Sequence, residues 1–180
     1  MDRLFNPSFS LLDMLLNLKE KMSSLVISKR KRGYFGITFF EPKFEENIGT
    51  AIRSANCFGA DFMAVIGARY KKHPGDTTKA EKHIPFFEYK DLKDFFEHLP
   101  LGCEVVGIEC DGEQPLENFV HPERCVYVFG GEDRTLPPEI KTRIRIPTPY
   151  SVPLNVAVSA SIVLYDRYLK RNFLRYKHLI

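Results

Sequence analysis

Hydrophobic and polar positions alternate along this chain in two distinct rhythms. Residues 8–22 (SFSLLDMLLNLKEKM) place Leu11, Leu12, Leu15, Leu16 and Leu18 at near-helical spacing, which predicts an amphipathic helix. A basic run, Lys29, Arg30, Lys31 and Arg32, follows and breaks at Gly33. Beyond Gly33 the texture changes. YFGITFFEP is a short apolar run that predicts a strand ending before Pro42. Residues 45–59 recur every three or four positions at Ile48, Ile52, Ala55 and Phe58, and predict a helix that Gly59 ends. FMAVIG predicts a buried strand, and residues 68–80 a polar, basic loop. A short strand is expected at Phe86–Tyr89 and a helix at 91–98. CEVVGIEC, CVYVFG (125–130) and RIRIP (143–147) read as three further strands. Residues 155–171 carry Val156, Ala160, Val163, Leu164 and Tyr168 and predict a final helix.

Strands alternating with helices imply an α/β fold, a mostly parallel sheet with helices on both faces. Residues 34–180 form one domain on this reading, and 1–33 a helical and basic extension too short for its own core. Ligands in such sheets bind beyond the carboxyl ends of strands. Polar residues and glycines gather at three of these ends. Asn47, Gly49 and Arg53 follow the first strand. Gly130, Gly131, Glu132, Asp133 and Arg134 follow CVYVF, and residues 148–155 follow RIRIP. Taken singly, each has two readings. Gly130 and Gly131 suit a tight turn or a backbone laid open to a ligand. Arg53 is a solvent-facing side chain or a fork that holds phosphate. Asn155 is a helix cap or a site residue.

Composition narrows the classes. The chain has 180 residues, 44% of them hydrophobic and 27% charged, which suits one folded domain and excludes a disordered tail. No apolar run approaches the ~20 residues that span a bilayer, and residues 1–18 lack the organisation of a signal peptide. Cys57, Cys103, Cys110 and Cys125 form no CxxC pair and no zinc-type cluster with histidine. They read as buried free thiols of a cytoplasmic protein, with no metal implied. Dinucleotide, Walker A and nucleophile-elbow signatures are absent, and none of the five histidines has a catalytic context. The net charge of +3 permits a nucleic-acid partner without requiring one. Concentrated Lys and Arg would supply it: Lys29, Arg30, Lys31, Arg32, Arg69, Lys71 and Lys72, with Lys79 and Lys82 beside them.

Three segments together, EENIGTAIRSANCFGA, VYVFGGEDRTLPPEI and RIRIPTPYSVPLNVAVSASIVLYDR, resemble the sequence motifs of the SpoU (TrmH-like) branch of the SPOUT RNA methyltransferases. The likeness runs over roughly 34–170. It implies a sheet whose C-terminal part is tied in a deep trefoil knot. It also implies S-adenosyl-L-methionine as cofactor, a ribose 2′-hydroxyl of tRNA or rRNA as methyl acceptor, and a homodimer with its active site at the subunit interface. By resemblance Asn47, Arg53, Glu132 and Asn155 are the catalytic polar residues, and Ile108, Gly130, Gly131, Ile146 and Leu154 surround the cofactor. Two positions depart from the pattern: Thr135 stands where the family has glycine, and Pro153 where it has serine. They motivate one alternative, a non-catalytic RNA-binding module on a methyltransferase scaffold. A base-directed SPOUT enzyme is the other.

Overall fold

The computed structural model describes residues 33–68, 83–131, 135–150 and 152–172. The leucine-rich segment 8–22 and the basic loop 69–82 lie outside them. The elements run β1 (Tyr34–Phe40), α1 (Glu45–Phe58), β2 (Phe62–Ile66), β3 (Phe86–Tyr89), α2 (Leu92–Glu97), β4 (Glu104–Ile108), β5 (Gln114–Pro115), β6 (Arg124–Gly130), β7 (Thr142–Arg145) and α3 (Val156–Asn172). The seven strands form one sheet in the order β3-β2-β1-β6-β4-β7-β5, and every pairing is parallel.

Strand side chains alternate between two cores, as the period of two demands. Phe35, Ile37 and Phe39 of β1 and Cys125, Tyr127 and Phe129 of β6 point to one face. There α1 and α3 cover them with Ile48, Ile52, Ala160 and Val163. Phe39 and Phe129 stack at 5.5 Å across the two central strands. Val126 and Val128 point to the other face, where Phe95 of α2 and the loop residues Leu136 and Ile140 close a smaller core. The opposite coverage therefore comes partly from a loop.

Local signals end the helices where the sequence places them. Gly59 adopts a left-handed φ of 71° and closes α1. Asp91 caps α2 by accepting the N–H of Asp94 at 2.9 Å. The two-residue strand β5 had no pattern long enough to announce it. Its pairing with β7 is a tertiary outcome. The cysteines are unpaired, but only Cys125 is buried; Cys57 and Cys110 are exposed, which corrects the reading of four buried thiols. Among the described residues no helix is long and apolar enough to cross a membrane.

Candidate functional site

In a parallel sheet all carboxyl ends share one edge, so the loops that follow them must meet there. A cleft of about 700 Å³ opens at that edge, between the ends of β4, β6 and β7 and the start of α3. Ile108, Gly130, Gly131, Ile146 and Leu154 all line it, and so does Asn155. The five cofactor residues suggested by the resemblance come from four separated stretches of chain, and the fold brings them to one wall.

Gly131 has a second reason to be glycine. Its N–H donates to Phe40 O at 2.9 Å. A Cβ there would fall 2.3 Å from the carbonyl oxygen of Glu41. The β6 end is thus pressed against the turn after β1, and no side chain fits between them. Glu41 itself holds a positive φ of 44°, the only non-glycine among the described residues to do so. Thr135 therefore needs no left-handed backbone, and the departure from the family's glycine introduces no strain of that kind. Pro153 lines the cleft with a trans peptide bond and offers no N–H to it.

Asn155 serves both readings at once. Its Oδ1 accepts the N–H groups of Ala157 at 2.9 Å and Val158 at 3.3 Å, which caps α3. Its amide nitrogen donates to Asn47 Oδ1 at 2.9 Å. The cap and the tie between the first and third motifs are one side chain. Seven residues along α1 from Asn47, on the same flank, Ser54 bonds Ser161 of α3 at 2.8 Å. Arg53 is placed differently. It lies six residues from Asn47, about 120° around the helix. It is exposed, and it is not among the residues lining the cleft. Glu132 lies outside the described residues, as do Lys29, Arg30, Lys31, Arg32, Arg69, Lys71, Lys72, Lys79 and Lys82.

No sequence motif announces the acidic rim of the cleft. Glu109, Cys110 and Asp111 follow β4 directly and line the cleft, and so does Arg145. The signal was available, because they are polar residues at the carboxyl end of a strand, the rule applied to the other loops. Burial raises the pKa of Glu109, and the neighbouring Asp111 adds to the rise; the Leu136 N–H and Arg143 oppose it. Conversely, the turn after β1 and the start of α1 do not line the cleft; they adjoin it through the bond of Gly131 to Phe40 O and that of Asn155 to Asn47.

Comparison with known proteins agrees with this geometry. The sequence model of the SpoU rRNA Methylase family matches residues 35–165. A protein of Archaeoglobus fulgidus named "Uncharacterized tRNA/rRNA methyltransferase" is 29% identical over 151 residues, spanning 78% of this chain and 67% of that protein. A "tRNA (cytidine(34)-2'-O)-methyltransferase" of Methylovorus glucosotrophus is 24% identical over 152 residues, 77% of this chain and 97% of the relative. Among solved structures, the A. aeolicus TrmH/SpoU tRNA modifying enzyme superposes with a TM-score of 0.68 at 23% identity, covering 86% of this chain and 84% of that one. The SpoU methyltransferase AviRb from Streptomyces viridochromogenes, in complex with AdoMet, superposes with a TM-score of 0.66 at 21% identity, over 81% and 60% of the two chains.

Proposed function

Because the chain belongs to the SpoU rRNA methylase family, we propose that it transfers a methyl group from S-adenosylmethionine to a ribose 2′-hydroxyl of tRNA or rRNA. The observation that carries the reading is the cleft at the carboxyl edge, where Ile108, Gly130, Gly131, Ile146 and Leu154 converge beside Asn155. Its volume suits a nucleoside-sized cofactor. Apolar side chains at Ile108, Ile146 and Leu154 offer a surface for a flat base, and the carboxylate of Asp111 suits a ligand that carries positive charge. The bound cofactor supplies an electrophilic methyl group on a sulfonium. Its transfer to O2′ would leave S-adenosylhomocysteine as the neutral thioether and pass the hydroxyl proton to solvent water.

The chain's own contribution is positioning and charge stabilisation. A guanidinium stays protonated throughout the accessible pH range and is a poor base. Arg53 instead binds the phosphate beside the target ribose and stabilises negative charge growing on the 2′-oxygen. Asn47 and Glu132 hold the surrounding polar framework, and Asn155 locks the first motif to the third. Arg53 sits away from the cleft of its own chain, which supports a homodimer in which it serves the partner's cleft. Two apolar residues on α3 support this too: Val158 and Tyr165 stand seven residues apart, on one flank of the helix, and each is about half exposed. The path that lays β7 between the earlier strands β4 and β5 supports the trefoil knot. Lys29, Arg30, Lys31, Arg32, Arg69, Lys71 and Lys72 complete the reading as phosphate contacts. Their neutralisation flattens the salt dependence of RNA binding.

Incubation with bulk tRNA and rRNA and labelled cofactor, followed by nuclease digestion and mass spectrometry, tests the reading. The expected product is a 2′-O-methyl nucleoside. Arg53→Ala is expected to lower turnover by about a hundredfold or more with RNA binding intact. Methyl groups found only on bases, or turnover of Arg53→Ala near that of the parent, would sink it.

A further inference from the structure

Strand β7 alternates. Ile144 is fully buried in the core beneath α1 and α3, and Arg143 and Arg145 turn to the opposite face. In a protein that handles RNA, paired arginines suggest phosphate contacts. Here their donors are engaged on the protein's own carbonyls. Arg143 donates through Nε to Ile140 O at 3.0 Å, and through Nη2 to Leu136 O at 2.8 Å and Pro137 O at 2.9 Å. Arg145 donates through Nη1 to Gly112 O at 2.7 Å and Glu113 O at 2.8 Å.

The segments so gripped adjoin two stretches that wall the cleft. Thr135 begins one; Glu109, Cys110 and Asp111 form the other. Each wall has further fastenings. The Leu136 N–H donates to the Glu109 carboxylate, which links the two walls directly. At Gly107 a Cβ would lie 2.8 Å from Leu136 Cδ1 and 2.9 Å from Ile140 Cγ2, so the bare backbone of β4 is what lets that segment lie flat. At Gly112 a Cβ would lie 2.4 Å from the Ile144 carbonyl carbon, so the second wall is pressed onto β7 as closely. Hydrogen bonds from a guanidinium are stronger than neutral ones, and walls held this way keep their geometry when the cleft is empty.

We propose that Arg143, Arg145 and Glu109 are positioning residues that pre-form the two walls of the cleft and thereby set cofactor affinity, and that the two arginines do not contact RNA. The inference rests on the reading of the cleft as the S-adenosylmethionine site. Loose walls would have to be ordered at each binding event, and that ordering weakens binding.

The test uses the full chain and three measurements: calorimetry with S-adenosylhomocysteine, hydrogen exchange of the unliganded protein, and the salt slope of tRNA binding. Arg143→Met, Arg145→Met and Glu109→Leu are expected to weaken S-adenosylhomocysteine by about tenfold. Arg143→Met and Glu109→Leu speed exchange in 135–140, Arg145→Met speeds it in 109–113, and exchange in β1 and β2 stays as in the parent. Glu109→Gln keeps an acceptor for the Leu136 N–H and stays within about threefold of the parent. The salt slope does not change. Affinity within about twofold of the parent in all three variants, or a salt slope flattened by about one unit per arginine, overturns the proposal. If an arginine variant fails to fold, the Glu109 pair decides alone: equal affinities for Leu and Gln overturn it, and a split supports it. A parent chain that binds no S-adenosylhomocysteine removes the cofactor reading and this inference together. Binding by the parent with unaffected variants removes the inference only.

Discussion

The two ends of helix α3 meet opposite edges of the same sheet, and their polar residues are used in opposite ways. At the amino edge they turn inward. His121 is buried between Tyr127 and Asp166: Nδ1 accepts from the Tyr127 hydroxyl at 2.6 Å, and Nε2–H donates to Asp166 Oδ2 at 2.7 Å. Arg167, itself buried, donates to the same hydroxyl at 2.9 Å and to Pro122 O at 2.7 Å, and lies 4.5 Å over the Phe35 ring. Lys170 closes the chain on Asp166 at 2.7 Å. Every group in this network has a partner, which is what a buried polar cluster requires. At the carboxyl edge the polar groups surround a void. Pro147 and Pro153 line it, and side chains such as Arg143 and Arg145 bond the backbone of its walls instead of filling the space. A cluster with all its partners inside the fold fastens the fold. A cluster arranged around a cavity awaits something else.

This contrast can be broken most directly at Arg167. Arg167→Ala removes packing over Phe35 and leaves the Tyr127 hydroxyl and Pro122 carbonyl buried with fewer partners. A loss of about 3 kcal/mol in denaturant unfolding is expected, with S-adenosylhomocysteine affinity unchanged for the folded fraction. A change in affinity at constant stability would erase the distinction between the two edges.

Acid probes the same network almost as hard. Burial lowers the His121 pKa from 6.5 to about 4, against the pull of Asp166. The unfolded chain therefore takes up a proton between those values and the folded chain does not. Stability is complete above pH 6.5 and falls as pH drops towards 4, by up to about 3 kcal/mol from this residue. Thermal unfolding across pH 7.5 to 4.5 measures it. A flat profile in that window would show that His121 is not held neutral.

At the carboxyl edge the effects move to the ligand. Gly131→Ala drives a methyl into the Glu41 carbonyl and shifts the β6 end that lines the cleft. Its S-adenosylhomocysteine affinity is expected to drop at least about tenfold, with a smaller change in unfolding midpoint. The reverse ranking would make Gly131 a fold residue like those at the other edge. Smallest is Asn155→Ala, which loses the α3 cap and the bond to Asn47, for about 1 kcal/mol of stability. Asn47→Ala loses only the second of these. If the two cost the same, the cap contributes nothing.

Much of this was legible in the residues. Short apolar runs announced six of the seven strands, and the 3.6 periodicity all three α-helices among the described residues, because most of these elements bury one face or both in a continuous core. Gly59 announced the end of α1, since a left-handed backbone there favours glycine. The three motifs announced the family. The acidic rim at Glu109 and Asp111 was legible in principle, as polar residues at a strand end, yet no spacing distinguished it from an ordinary turn. The His121 network was not legible. The bonds that join its two stretches span 40 and 45 residues, and a lone histidine in a polar stretch carries no sign that it will be buried.

The sequence by itself determined the elements, the parallel α/β class and the family, because periodicity and motif order are properties of neighbouring residues along the chain. Only the tertiary structure decided which residues share a wall. It placed β6 between β1 and β4, and so set Gly131 against Glu41. It gave Asn155 its bond to Asn47 and turned Arg145 of β7 onto the carbonyls of Gly112 and Glu113. These are contacts between segments up to 108 residues apart, fixed by sheet order and by the volume that a missing Cβ leaves, and neither quantity is written in any local stretch of the chain.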